Sequence, residues 1–343
     1  MLRHFLAVED WPDAEITSLL DEAEALAEGR VGETPALPGK VLALLFLDPS
    51  LRTRTSFEVA MAREGGRAVV LEPGRGAWPL ETRDGVTMDG EAVEHVREAA
   101  AVLGRYAAGL AVRAFPRGAS WAEAREDAVV RAFARHAGVP VINLESARRH
   151  PCQELGDALT LRRKLGRDLS GRRFVLTWAW HPKALPTAVP VSAALAAARQ
   201  GMDVTIAHPA GYDLDPDDLE TIGAVAARAG GRVSVSHDLD DAAAGAEVLY
   251  AKSWGCLADF GDPAAEGARR ADLRHWIADA RRMERTRGGR GLLMHCLPVR
   301  RDVEVSSRVL DSRWSVVIDQ AENRLHAQRA LLRRILGDRP EAR

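Results

Sequence analysis

Seven consecutive apolar residues at 41–47 (VLALLFL) precede Asp48, Pro49 and Ser50, after which Leu51, Phe57, Val59 and Met61 recur among helix formers up to Arg63. An apolar run of that length suits a strand buried on both faces, so the pattern predicts strand, turn and helix across 41–63. The same alternation continues on both sides. Ile16, Leu19, Leu20, Ala23 and Leu26 form one helical face, with Asp13 or Asp10 as the cap and an end near Gly29. A short strand is expected at 68–71, then an irregular Gly/Pro-rich loop at 72–79 holding Trp78, and a polar loop at 85–95. A helix through Ala100, Leu103 and Tyr106, a strand at 108–114, a helix at 121–136 and a strand at 139–144 complete the first half.

A helix at 155–165 leads to 166–171, whose glycines mark the passage to a second half of similar pattern. Strands are predicted there at 173–178, 203–207, 232–236, 248–251, 292–294 and 316–318, with helices at 186–200, 219–229 and 321–336. Leu325, Leu332 and Ile335 share a face of the last helix, which follows its strand directly and can cross back to the first domain. The expected fold is α/β: two three-layer α/β domains with mainly parallel sheets, spanning 1–154 and 155–320, with 321–343 completing the first.

A chain of 343 residues, 46% of them hydrophobic, is long enough for two cores. Its 47 basic and 49 acidic residues leave a net charge of -2, which gives no general pull toward nucleic acid or an anionic membrane. Any anion site must be local. Cys152, Cys256 and Cys296 have neither an even count nor a metal-ligand spacing, so no disulfide or metal site is expected. The first fifteen residues lack a signal-peptide core, and no 18-residue apolar run occurs, so a soluble cytoplasmic protein is expected. No Gly-x-Gly-x-x-Gly follows a predicted strand and no Walker sequence is present.

Open parallel sheets bind ligands beyond the carboxyl ends of their strands. Seven polar groups fall there: residues 50–54, Arg113, Glu145 with His150 and Gln153, 181–183, 252–254, 295–298 and 322–324. Singly, His150 reads as a helix cap, Cys296 as a small core residue and Lys252 as a solvated charge. Together they outline a site. At 50–55, the free N–H groups of a helix start coincide with five donor side chains, Ser50, Arg52, Thr53, Arg54 and Thr55, a combination suited to phosphate.

Residues 50–54, Ser-Leu-Arg-Thr-Arg, resemble the Ser-x-Arg-Thr-Arg signature of the aspartate and ornithine carbamoyltransferases, where it binds the phosphate of carbamoyl phosphate. Residues 150–153 are similar to the family's His-Pro-x-Gln, and 295–298 to the His-Cys-Leu-Pro of its ornithine branch. The resemblance covers nearly the whole chain. Trp78 and residues 88–90, 250–254 and 321–324 narrow it to the branch acting on Nα-acylated ornithine; the Ser-Met-Gly loop of ordinary ornithine enzymes is not found.

The resemblance implies a carbamoyl phosphate-binding first domain and an acylated-ornithine-binding second domain, acting in arginine biosynthesis. Ser50, Leu51, Arg52 and Thr53, with Trp78 and Arg324, correspond to the phosphate-binding set. Thr53, Arg113 and His150 would stabilise the developing oxyanion, and Gln153 with the backbone carbonyls of Cys296 and Leu297 would hold the amide NH2. Glu145, Lys252 and Leu297 would contact the acylated amino acid. Trp78 would reach a neighbouring subunit's site, which implies a homotrimer. No metal or organic cofactor is expected, since the departing phosphate can accept the amine proton. Rival readings are ordinary ornithine or aspartate carbamoyltransferase and a non-catalytic metabolite-binding relative.

Two departures bear on specificity. The acetylornithine enzymes carry a glutamate where this chain has Val93, whereas the succinylornithine enzymes carry an uncharged proline. Valine adds no charge to repel a succinyl carboxylate. Residues 185–190 also resemble the succinyl branch, while 152–155 and 323–326 resemble the acetyl branch. The expectation is a slight preference for the succinyl substrate. Glu304 occupies a position where acetyl enzymes can carry a lysine that becomes carboxylated; it would order nearby Lys or Arg side chains, against the alternative of a surface glutamate without consequence.

Overall fold

The computed structural model describes residues 2–31 and 34–337. The chain divides into two compact units, one of residues 1–117, 124–155 and 324–343, the other of 118–123 and 156–323. The division falls within the helix Pro151–Leu165, so the glycine-marked stretch 166–171 lies inside the second unit. Residues 338–343 of the expected closing segment lie outside the described residues.

The first unit contains β1 (Val41–Phe46), β2 (Arg67–Leu71), the two-residue β3 (Leu80–Glu81) and β4 (Glu94–His95), β5 (Gly109–Arg113) and β6 (Val141–Glu145). The main sheet has the order β2-β1-β5-β6 with every pair parallel, while β3 and β4 pair separately. Every residue of β5 and β6 is buried, as a sheet covered on both faces requires. The chain winds from β1 to β2 on one side and reaches β5 on the other, leaving a switch point beyond the carboxyl ends of β1 and β5. The register sets Phe46 beside Arg113 and Arg113 beside Glu145.

Two local expectations fail here. The helix expected at 121–136 is two helices, Trp121–Ala124 and Ala128–His136, because Asp127 adopts φ 51° and interrupts the hydrogen-bond ladder. The first helix, Asp13–Ala27, starts after Pro12 without a side-chain cap; Asp10 instead accepts the Ala7 N–H at 3.0 Å.

The second unit contains β7 (Arg173–Trp178), β8 (Asp203–Ala207), β9 (Val233–Ser236), β10 (Val248–Lys252) and β11 (Leu292–Met294), ordered β11-β10-β7-β8-β9 and parallel throughout. Its switch point lies between β7 and β10. Trp178, Tyr212, Tyr250 and Trp254 are fully buried in its core, and the alanine-rich helix Ala188–Arg199 is buried along almost its whole length. The strand expected at 316–318 is instead the start of the helix Val317–Leu336; only Ser315 bridges to Leu293. The β-branched run Val316, Val317, Ile318 favours a strand locally, but Val316 accepts the Gln320 N–H at 2.9 Å and opens helical bonding.

From residue 324 this last helix belongs to the first unit, in keeping with the predicted return. There Arg329 and Arg333 each donate at 2.7 Å to the buried carboxylate of Glu64. Leu332 of the predicted stripe is buried, with Ala327, Leu331 and Leu336, while Leu325 and Ile335 are half-buried. No helix among the described residues is long and apolar enough to cross a membrane.

Candidate active site

The helix Leu51–Arg63 starts directly beyond β1, at the first switch point. Ser50 is extended (φ -155°) and its Oγ accepts the Thr53 N–H at 3.2 Å, an N-cap worth roughly 1 kcal/mol. Thr53 is buried, and its Oγ1 accepts from Arg324 Nη2 at 2.8 Å. The charges of Arg52 and Arg113 also act on Arg324. Thus three cations gather at the positive end of a helix; the Glu145 carboxylate offsets part of their mutual repulsion, and a bound anion would offset more. Leu51 is 78% exposed, while Thr53 in the same turn is buried. Two of the five expected donors are used elsewhere. Thr55 Oγ1 donates to Leu51 O at 2.9 Å, and Arg54 faces Glu58 and Glu72 at 3.7 and 3.5 Å.

At the ends of β5 and β6, Arg113 is buried against the carboxylate of Glu145 and stacks over Phe115 at 4.6 Å. His150 Nε2 lies 3.7 Å from the same carboxylate. Burial, followed by the charges of Arg324 and Arg113, holds the His150 pKa well below its ordinary value, so the imidazole is neutral at neutral pH. A neutral imidazole can donate one hydrogen bond to a carbonyl oxygen without introducing another cation. Pro151 opens the next helix, and its first turn carries Cys152 and Gln153, both buried. Burial pushes the Cys152 thiol up to about 12, which removes it as a nucleophile.

Trp78 and Val93 lie on the exposed loops around β3 and β4, at 57% and 68% exposure. Trp78 Nε1 donates to Glu94 Oε2 at 2.7 Å, so the residue after Val93 sets the direction of the indole.

In the second unit the end of β10 carries Lys252, buried, with Nζ donating to Ser253 O at 3.0 Å. Beyond β11, His295 is buried and its Nδ1 accepts the Leu297 N–H at 2.9 Å, which assigns the ring proton to Nε2. Leu297 has φ 57°, so the backbone turns sharply at the Cys296 and Leu297 carbonyls. His295 Nε2 faces Glu304 Oε1 at 3.5 Å, and Glu304 Oε2 accepts the Arg300 N–H at 2.9 Å. Glu304 is 1% exposed, which excludes the surface alternative. Burial raises its pKa, but the His295 imidazole facing it, the Lys252 ammonium and the Arg300 N–H outweigh it, leaving the carboxyl below its ordinary range.

The sequence reading missed the side chains behind this turn. Gln320 Oε1 accepts the His295 N–H at 2.9 Å; its Nε2 donates to Asp157 Oδ1 at 2.7 Å, and Asp157 Oδ2 accepts from Tyr250 at 3.1 Å. Asp157 stands one helical turn after Gln153, and that i, i+4 spacing was the available signal. Asn323, expected among site residues, donates to Thr160 Oγ1 at 2.9 Å. Among the described residues, Cys256, Asp259 and Glu266 come close enough to share a cation, but both carboxylates are already paired, with Arg269 and Arg270.

A family model described as the aspartate/ornithine carbamoyltransferase carbamoyl-P binding domain matches residues 3–163, and the corresponding Asp/Orn binding domain matches 185–335. An N-acetylornithine carbamoyltransferase of Xanthomonas campestris pv. campestris is 47% identical over 98% of both chains. An N-succinylornithine carbamoyltransferase of Bacteroides fragilis is 35% identical over 99% of this chain and 100% of its own. An acetylornithine transcarbamylase solved with acetylcitrulline superposes with a TM-score of 0.94 at 47% identity, covering 98% of this chain and 100% of its own. An N-acetyl-L-ornithine transcarbamylase with valine in place of a glutamate, solved with carbamyl phosphate and N-succinyl-L-norvaline, gives the same score and identity over 97% and 100%.

Proposed function

The chain belongs to the aspartate/ornithine carbamoyltransferase family, and from that premise we propose that it transfers the carbamoyl group of carbamoyl phosphate to the δ-amino group of an Nα-acyl-L-ornithine. The products are an Nα-acyl-L-citrulline and phosphate, a step of arginine biosynthesis, and the working protein is a cytoplasmic homotrimer. The observation that carries this reading is the Arg324 guanidinium on Thr53 at the helix start, in the same unit as the buried neutral His150 and Arg113.

Ser50, Leu51, Arg52, Thr53 and Arg324 hold the phosphate dianion. Thr53, Arg113 and His150 donate to the carbonyl oxygen and support the negative charge it gains in the tetrahedral intermediate. Gln153 and the Cys296 and Leu297 carbonyls orient the amide nitrogen. The δ-amine attacks unprotonated, forming the new C–N bond; the intermediate collapses with cleavage of the C–O bond to phosphate, which carries off the amine proton. Because a free alkylamine has a pKa of roughly 10.4, the rate rises with pH through neutrality. Residues 1–154 with 321–343 serve carbamoyl phosphate, and 155–320 serve the acylated amino acid through Lys252 and Leu297, with Glu145 contributing from the first. Exposure of Leu51, Trp78, Met88 and Val93 supports a subunit contact through which Trp78 enters a neighbouring site.

Val93 supports N-succinyl-L-ornithine as the preferred acceptor, because no carboxylate stands there to repel the succinyl group. The relative whose glutamate was replaced by valine and which was solved with N-succinyl-L-norvaline supports the same direction. N-acetyl-L-ornithine is the second reading, favoured by 47% identity to the acetyl enzyme against 35% to the succinyl enzyme. Incubation with carbamoyl phosphate and either acylated ornithine should yield a ureido product with stoichiometric phosphate. Binding of carbamoyl phosphate without ureido product would instead identify a non-catalytic relative.

A further inference from the structure

Asp127 stands between the helices Trp121–Ala124 and Ala128–His136 with φ 51° and ψ 35°. This left-handed region is costly for a residue with a side chain, although Asp and Asn tolerate it better than most. An aspartate directly before a helix ordinarily turns its carboxylate onto the free N–H groups of that helix. Asp127 makes no such cap. Its Oδ2 accepts from Ser146 Oγ at 2.8 Å and its Oδ1 accepts the Ala147 N–H at 2.7 Å, about twenty residues further along the chain.

These two contacts fall in the link between Glu145, the last residue of β6, and His150, which precedes the helix Pro151–Leu165. Ser146, Ala147, Arg149 and His150 are all buried, so the polar groups of this irregular backbone must find partners within the protein. The partners form one connected set. Ser146 Oγ accepts from Asn143 Nδ2 at 2.9 Å, the Ser146 N–H donates to Arg149 O at 2.9 Å, and Asn143 Nδ2 also reaches Leu6 O at 2.9 Å. Two carboxylates come from other elements: Glu9 Oε1 accepts from the Arg149 side chain at 2.7 Å, and Asp127 is the one that holds the link's own backbone, at the Ala147 N–H.

We infer that Asp127 is a positioning residue for carbamoyl transfer: its carboxylate clamps the 146–149 link and thereby fixes the separation and orientation of Glu145 and His150. The inference rests on the role proposed above for His150. Strained backbone persists where the surrounding contacts over-determine it, and here those contacts serve the link rather than the helix that Asp127 precedes. The clamp acts on the oxyanion partner and leaves the phosphate grip at Ser50, Thr53 and Arg324 untouched.

The test compares Asp127→Ala, Asp127→Asn, Ser146→Ala and His150→Asn in the full chain, with kcat, affinity for carbamoyl phosphate and thermal midpoint measured for each. Asp127→Ala should lose about 10- to 100-fold in kcat while carbamoyl phosphate affinity changes less than about threefold. Asp127→Asn, which can still accept the Ala147 N–H, should recover most of that loss, and Ser146→Ala should fall between. If Asp127→Ala does not fold, Ser146→Ala carries the comparison. Wild-type kcat in the folded clamp variants, alongside an impaired His150→Asn, would overturn the clamp. An unimpaired His150→Asn would overturn the role of His150 itself.

Discussion

The two units fix their polar residues by different means. In the first, Ser50 and Thr53 sit on a helix start, and Arg113 and Glu145 on adjacent strand ends whose parallel register sets them side by side. In the second, Cys296 and Leu297 sit on an irregular turn held by side chains: Leu297 on His295, His295 on Gln320, and Gln320 on Asp157. Regular backbone places a group through many redundant hydrogen bonds, whereas a relay of single side chains has no reserve. Substitutions at the helix start and strand ends of the first unit should therefore act where the lost group itself touches substrate, the irregular 146–149 link held by Asp127 being the exception there. Those in the second should act at a distance, through the turn.

The largest expected effect belongs to the first unit. Arg113→Ala or His150→Ala should lower kcat/KM about 100- to 1,000-fold, as removal of an oxyanion donor does, while phosphate still competes with carbamoyl phosphate as in the wild type. Losing phosphate competition as well would mean that the two functions are not separately placed. Steady-state rates with phosphate as product inhibitor measure both.

A smaller effect is expected from Glu304, which contacts the relay and not the turn. Glu304→Ala should reduce kcat/KM about tenfold by freeing His295, with Glu304→Gln retaining more because it can still accept from Nε2. Full activity and unchanged affinity in Glu304→Ala would remove Glu304 from the relay.

The smallest effect is on stability. Burial keeps His150 in the first unit and His181 and His208 in the second below their ordinary value of 6.5. Unfolded histidines take up protons as pH falls through about 6.5 and the folded ones do not, so acidification stabilises the unfolded chain, by at most about 1.4 kcal/mol per group per pH unit. The thermal midpoint should drop between pH 7.5 and 5.5, and His150→Asn should shrink that drop. An identical drop in the variant would contradict the assignment of His150 as buried and neutral.

The contrast between units also explains what the sequence made legible. The positions of Ser50, Thr53, Arg113 and His150 follow from apolar runs ending in polar residues at a switch point, a pattern that survives in one dimension. The relay does not survive there. Asp157 and Gln320 lie on helices, where a polar residue reads as solvated until the tertiary fold buries it. Asp127 was hidden similarly: no Gly or Pro marks the break it makes at 124–128, and its partners lie some twenty residues away. At 316–318 a β-branched run gave way to the helix that follows it, local propensity losing to the longer element.

The most direct test is the initial rate with carbamoyl phosphate and, in parallel, N-succinyl-, N-acetyl- and free L-ornithine. The expected result is turnover of both acylated substrates well ahead of free ornithine, succinyl ahead of acetyl, with Val93→Glu reversing that last order. Acetyl ahead of succinyl would keep the reaction and remove Val93 as its selector. Free L-ornithine turned over as fast as either acylated substrate would contradict the Nα-acyl reaction itself.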